Sequence, residues 1–426
     1  MFGPQSPVTF VLLIGIFAGL IVVLARSRTV VWKTFTGTMA FVPAMVFGIA
    51  GVNRYYDYYN SWSDAWDELI DAPQSGVTSM ADLKTLDRVL HDAVTSPEAP
   101  RLGLTLQAPL PGQASGITRP GLIYLPPQYF RKTAAKQLFP VVELLHGGPG
   151  TPSDYTRVMK IASVYLKLMA SGLARPAVLV MPDSNGGRDV AEQCLDTVNG
   201  PKDETYLVND VPADLVGRLR IQPPGRGWAL AGYSEGGYCA ANLGLRHSTA
   251  YGAVAVLSGY FAALRFSKLP QRVDPFAGNQ RLRDANSPFS MLRTLPPGAK
   301  PALPPFWVMA GTDRINDVAD AHSFVALIRP LQADVTFVGI NGGGHDYQTW
   351  RRALPQALTW MTNEISGRPD RGPGRAAPSA AATPPAMPGA GRPQGTGHPA
   401  TAPHEGTGPR RTSSPLPAGS AGPAHV

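Results

Sequence analysis

Apolar and polar positions divide the chain into three regimes. From Val8 to Ala25 the run VTFVLLIGIFAGLIVVLA carries no charge, and from Thr34 to Val52 TFTGTMAFVPAMVFGIAGV carries none either. Each approaches the roughly 20 residues that a bilayer core requires, so residues 1–52 are expected to form a transmembrane hairpin with spans about 8–25 and 34–52. A signal peptide is the competing reading of the first run, but MFGPQSP ahead of it has no basic residue and a second span follows. Gly15 with Gly19 and Ala44 with Gly48 form small-xxx-small pairs suited to close helix approach.

In the middle of the chain, short apolar runs alternate with helical patterns. LIYLPP near 122, FPVVELLHGG from 139, PAVLVMPD from 176, GWALAGYS from 227, AVAVLSG from 253, PFWVMAGTD from 305 and ADVTFVGI from 333 read as strands, mostly buried on both sides. YTRVMKIASVYLKLMASG, GGYCAANLGLRH and WRRALPQALTWMTNEI read as helices between them. This alternation predicts an α/β domain over residues 100–366, a mainly parallel sheet with helices on both faces. Residues 367–426 are rich in Pro, Gly, Ala and Ser and poor in large apolar side chains, the pattern of a disordered tail that cannot bury enough surface to offset its ordering entropy.

Charge changes the picture at the ends only. The formal net charge is +8, but residues 1–52 hold Arg26, Arg28 and Lys33 with no acid, and the tail holds six Arg against Asp370 and Glu405. The middle is therefore near neutral, and a basic groove for nucleic acid is not expected. The loop RSRTVVWK concentrates the basic residues of the hairpin, and the positive-inside rule places it in the cytoplasm. The expectation is a multi-pass protein of the cell membrane whose large domain is extracytoplasmic. Residues 53–99 begin with Tyr55, Tyr56, Tyr58, Tyr59, Trp62 and Trp66, a set suited to an interfacial aromatic belt. The Arg residues of the tail suggest contact with the cell wall.

The chemistry concentrates in Gly232-Tyr233-Ser234-Glu235-Gly236, between a predicted strand and a predicted helix. Glycines there permit a tight turn that raises the serine oxygen above the sheet, the geometry of a nucleophile elbow. A serine needs a base, and the base an acid to orient it, in the order Ser, Asp or Glu, His. His345, in NGGGHDYQTW after the last predicted strand, and Asp313, after PFWVMAGT, stand at those places. The developing oxyanion requires amide donors, expected from Glu235 and from Gly148 in the HGGPG loop. His91, His247 and His322 fall in helical patterns and read as surface or packing residues, while His146 reads as an organiser of its own loop. No metal-ligand spacing or phosphate loop occurs, and the expected chemistry requires neither metal nor organic cofactor.

The set LLHGGPG, MPDSNGG, TYLVNDV, GYSEGGYCA and GGHDYQTWRRAL resembles the Putative esterase family of α/β-hydrolases, which includes antigen 85 type mycolyltransferases, S-formylglutathione hydrolases and feruloyl esterases. The two spans followed by VNRYYDYYNSWSDAWDEL resemble membrane-anchored actinobacterial members. The resemblance implies a serine esterase acting on an ester or acyl-lipid substrate through an acyl-enzyme on Ser234. Its alternative is an acyltransferase of antigen 85 type that delivers the acyl group to a sugar or lipid hydroxyl. A prolyl peptidase is disfavoured, since no DQRG-like motif follows HGGPG, and a catalytically silent envelope protein is disfavoured by the apparent triad. Family members carry Gly-Thr-x-Asp after the strand, whereas this chain reads Gly311-Thr312-Asp313-Arg314. Asp313 is accordingly the expected acid, with Asp317 as the alternative.

Cys194 and Cys239 are the two cysteines of the chain. An oxidising location favours a disulfide between them, and two buried free thiols are the other possibility.

Overall fold

The computed structural model describes residues 3–4, 6–56, 62, 84–94, 96–186, 193–264 and 274–367. The tail from 368 onward and most of the aromatic stretch, including Tyr58, Tyr59 and Trp66, lie outside the described residues.

Helices α1 (Pro7–Arg26) and α2 (Val30–Tyr56) are both long and apolar enough to cross a membrane. The second starts earlier than the hydrophobic run because Thr29 accepts the amide of Trp32 on its side-chain oxygen and that of Lys33 on its carbonyl, an N-cap arrangement. The hairpin does not pack through its small-xxx-small pairs. Gly15, Gly19, Ala44 and Gly48 face outward, and Thr36, Ala40, Pro43 and Ala50 form the buried stripe of α2 instead. Phe10 and Phe47 meet edge to face at 5.3 Å.

Among the described residues, eight strands form one sheet: β1 (Leu104–Pro111), β2 (Thr118–Leu125), β3 (Val141–Leu145), β4 (Val178–Pro182), β5 (Gly225–Tyr233), β6 (Tyr251–Leu257), β7 (Phe306–Gly311) and β8 (Val335–Ile340). Their order is β1-β2-β4-β3-β5-β6-β7-β8, with β2 antiparallel to both of its neighbours, β1 and β4, and the remaining pairs parallel. Strand β1 is absent from the hydrophobic reading. Pro109 and Pro111 interrupt it, and its burial alternates, as befits an edge strand. Strand β8, read as buried, is the other edge, and of its residues only Ile340 is fully buried.

The long helices that cover the sheet, among the described residues, include α3 (Ile161–Ala170), α4 (Glu235–Arg246), α5 (Ile315–Ile328) and α6 (Tyr347–Ile365). Side-chain alternation assigns them to faces. Val142, Leu144, Ala229, Ala231, Ala253 and Ala255 share one core with α3 and α6, and the run of alanines lets α6 lie close to the strands. Val141, Leu145, Leu230, Val254 and Val256 share the other core with α4 and α5. This is the α/β-hydrolase fold. Its parallel strands end together, and the loops that leave β3, β5, β7 and β8 carry the residues of interest.

Candidate active site

Ser234 sits between β5 and α4 with φ 56° and ψ −117°. A non-glycine residue adopts that backbone only where its surroundings enforce it. Here the amide of Ser234 donates to the Leu257 carbonyl of β6 at 2.9 Å, and its carbonyl accepts the Tyr238 amide of α4 at 3.1 Å. The flanking glycines are required by distance. A Cβ on Gly232 would stand 2.1 Å from the Gly236 carbonyl oxygen, and one on Gly236 would stand 2.1 Å from that of Leu145.

His345 arrives from the opposite side, on the loop between β8 and α6. Asp346 caps α6 by accepting the Thr349 amide at 2.8 Å, which sets the chain direction one residue after the imidazole. That loop passes over the end of β7. A Cβ on Gly311 would lie 2.4 Å from the carbonyl oxygens of both Gly343 and Gly344. The imidazole Nδ1 donates to Asp317 Oδ2 at 2.7 Å, and Nε2 accepts the Ser234 hydroxyl at 2.9 Å.

The acid in contact with the histidine is Asp317, and the expectation for Asp313 is corrected. Asp313 is exposed and lies in the turn after β7, where its backbone is occupied: its amide donates to the Gly343 carbonyl at 3.0 Å. Neighbouring Thr312 accepts the Gly342 amide at 2.9 Å. The Gly-Thr-Asp segment thus clamps the histidine loop through the Thr312 hydroxyl oxygen and the Asp313 amide. Asp317, in the first turn of α5, presents the carboxylate to Nδ1.

A small cleft of about 120 Å³ opens at Ser234 and His345, lined also by Gly148, Glu235, Ser258, Gly259, Tyr260, Asp317 and Asp320. Both residues expected to supply oxyanion donors therefore border it. Glu235 heads α4, where first-turn amides lack intrahelical acceptors. Gly148 precedes Pro149, which has no N–H, and a Cβ on Gly148 would meet Glu235 Oε2 at 2.5 Å. Asp320 also borders the cleft, where desolvation and then the Asp317 charge raise its pKa above the ordinary value. Ser258 and Tyr260 were not foreseen. Both come from the segment after β6, which no motif marks.

The remaining motifs build scaffold around the site. His146 Nε2 accepts the Ser184 amide at 3.1 Å and Nδ1 donates to the Gly147 carbonyl at 2.9 Å, so HGGPG and MPDSNGG brace each other. In TYLVNDV, Tyr206 donates to the Leu110 carbonyl, and Asp210 accepts the amides of Ala114 and Ser115. Cys194 and Cys239 are joined in a disulfide, with Cα atoms 5.7 Å apart, that ties a loop to the first turns of α4. Next to it, the Gln193 side chain pairs with both backbone groups of Leu264. His247 pairs with Glu204 at 2.7 Å, and His322 packs on Phe337. Among the described residues no cluster of His, Cys, Asp or Glu suited to a metal ion occurs.

A strained serine after the central strand, a histidine on the last loop and a carboxylate behind it, on this sheet, define the serine-hydrolase class of α/β-hydrolases. Residues 113–361 match the family described as "Putative esterase", and the chain belongs to that family, a class of serine hydrolases that act on carboxylic esters. An uncharacterized protein of Corynebacterium glutamicum is 26% identical over 269 residues, 61% of this chain; the chain spans 62% of that relative's length. Among solved structures, a ferulic acid esterase superposes with a TM-score of 0.53 at 24% identity, covering 61% of this chain and 98% of that one. A fluorophosphonate-binding serine hydrolase of Staphylococcus aureus gives 0.52 at 18% identity over 61% and 99%. An S-formylglutathione hydrolase of Agrobacterium tumefaciens gives 0.51 at 18% identity over 62% and 96%. These likenesses establish the fold.

Proposed function

We propose that this protein is a membrane-anchored serine esterase that hydrolyses carboxylic esters through an acyl-enzyme on Ser234. The observation that carries the proposal is the continuous hydrogen-bonded chain from Ser234 through His345 to Asp317. Ser234 Oγ attacks the ester carbonyl while His345 Nε2 takes its proton, and Asp317 stabilises the imidazolium so formed. The tetrahedral oxyanion is held by the amides of Glu235 and Gly148. Collapse expels the alcohol, which recovers the proton from His345, and water then releases the acid by the same steps in reverse order. Membrane anchoring is supported by the two apolar helices and the basic turn between them. An extracytoplasmic catalytic domain is supported by that charge placement and by the Cys194–Cys239 disulfide.

The test is a fluorophosphonate probe combined with ester hydrolysis by the full chain in detergent. Wild type is expected to take the label, and Ser234→Ala to lose both the label and activity, by roughly 10⁶-fold in rate. Label retained by Ser234→Ala would overturn the assignment. Adding trehalose or glycerol to the hydrolysis assay separates water from an alcohol as acyl acceptor, since transfer yields a new ester instead of free acid. For topology, Ile70→Cys is expected to react with an impermeant maleimide on intact cells, and protection of that residue would reverse the orientation.

A further inference from the structure

A buried carboxylate joins the three loops that build the site. Asp154 stands on the segment that follows HGGPG and is 8% exposed. Its Oδ2 accepts the Tyr233 hydroxyl at 2.7 Å, the Tyr347 hydroxyl at 2.8 Å and the Thr151 amide at 3.1 Å. Tyr233 is the last residue of β5 and is bonded directly to Ser234. Tyr347 opens α6, two residues beyond His345. Thr151 follows the glycines of the oxyanion loop. One oxygen atom thus touches groups within three residues in sequence of the nucleophile, the base and the proposed oxyanion donor.

The surroundings make this connection stiff. The Tyr233 ring packs edge to face with Tyr155 at 5.5 Å and against Trp350 at 4.6 Å, and Trp350 in turn meets the His345 ring at 5.3 Å. Tyr155 donates to the Leu145 carbonyl at the end of β3. Burial, and then the negative charge of Asp154, raise the Tyr233 hydroxyl well above its ordinary pKa, so it remains a donor. A hydrocarbon side chain at 154 would leave two buried phenol hydroxyls without this acceptor. Geometry is the quantity at stake, because displacement of reacting groups by about 1 Å reduces rates on the order of 100-fold.

We infer that Asp154 is a positioning residue of the acyl-transfer site, holding the Ser234 elbow and the His345 loop at a fixed separation through Tyr233 and Tyr347. The inference rests on the reading of Ser234 as nucleophile. Its test compares Asp154→Ala, Asp154→Asn and Tyr347→Phe in the detergent-solubilised full chain. End-point fluorophosphonate labelling counts folded sites, while the labelling rate and kcat per labelled site report their geometry. Asp154→Ala is expected to lower kcat per labelled site roughly 100-fold, and the two milder variants roughly 10-fold, with KM within about twofold and the labelling rate falling in parallel. If Asp154→Ala does not fold, the milder variants carry the test. Wild-type kcat per labelled site in Asp154→Asn and Tyr347→Phe, even with lowered thermal stability, would reduce Asp154 to a structural residue and overturn the inference. Wild-type protein that takes no label at all would instead overturn the acyl-enzyme reading, and this inference with it.

Discussion

The two sides of the candidate triad are built differently. The nucleophile side is made in the middle of the sheet: Ser234 is held between β5 and α4 by main-chain bonds, with glycines that no larger residue can replace without meeting a backbone oxygen. The acid side is made near the sheet edge, from the turn after β7 and the first turn of α5, where Asp313 is exposed and Asp317 half-buried. A site formed by contiguous residues under steric constraint announces itself in sequence. A site formed by whichever carboxylate a helix turn brings to an imidazole does not.

The largest expected effect on this comparison separates the two acids. Asp317→Asn, which leaves the shape of the side chain but removes the charge behind the imidazole, is expected to cut kcat by up to about 10⁴-fold. Asp313→Asn is expected to stay within a few fold, because its side chain is exposed and its contribution is a main-chain amide. Both are read as kcat at equal folded fraction. A crippled Asp313→Asn beside an active Asp317→Asn would erase the distinction between the two sides.

The next effect concerns the tether that the nucleophile side has and the acid side lacks. The Cys194–Cys239 disulfide closes a separation of 45 residues onto α4. In the chain-entropy account it contributes roughly 4 kcal/mol by restricting the unfolded chain. Cys194→Ser/Cys239→Ser is therefore expected to lose about that much stability in denaturant unfolding, measured alongside wild type with and without reductant. Equal unfolding midpoints for wild type in both conditions would show that the bridge does not stabilise the elbow side.

The smallest effect compares two carboxyl groups. Asp317 is partly open to solvent and paired, whereas Glu143 is fully buried in β3, beside Leu230 of β5, with Oε1 lacking a hydrogen-bond partner. Burial pushes the Glu143 pKa up to about 8, against a lowering contribution from Tyr251. A carboxyl group raised in the folded state favours folding fully below its unfolded pKa near 4.3, and that advantage is lost as pH rises toward about 8. Wild type is thus expected to lose roughly 3 kcal/mol between pH 5 and pH 8 through this group, a loss that Glu143→Gln removes. Parallel pH profiles of unfolding for the two proteins would show that Glu143 does not titrate in this way.

Legibility followed the range of the forces involved. Strands β2 to β8 were visible because their apolar runs are continuous and separated by helical periods, while β1 was hidden by its prolines and its alternating edge pattern. The hairpin was visible from length and apolarity alone, but its contact stripe was not. Which face of a helix meets its partner depends on the partner, and Thr36, Ala40, Pro43 and Ala50 took the place expected of Ala44 and Gly48. The cysteine pair was open in sequence and closed by the fold, which brings the two Cα atoms to 5.7 Å.

By itself, the amino-acid sequence determined the class of fold, the position of the elbow serine and the loop that carries the histidine, since each rests on steric and hydrophobic rules acting over a few residues. Tertiary structure alone decided that Asp317 and not Asp313 faces His345, that Asp154 gathers the hydroxyls of Tyr233 and Tyr347, and that Ser258 and Tyr260 line the cleft. The reason is geometric. A hydrogen bond is satisfied or lost within a few tenths of an ångström, and residues as far apart in sequence as Asp154 and Tyr347 are brought to that precision only by the packing of the whole sheet and its helices.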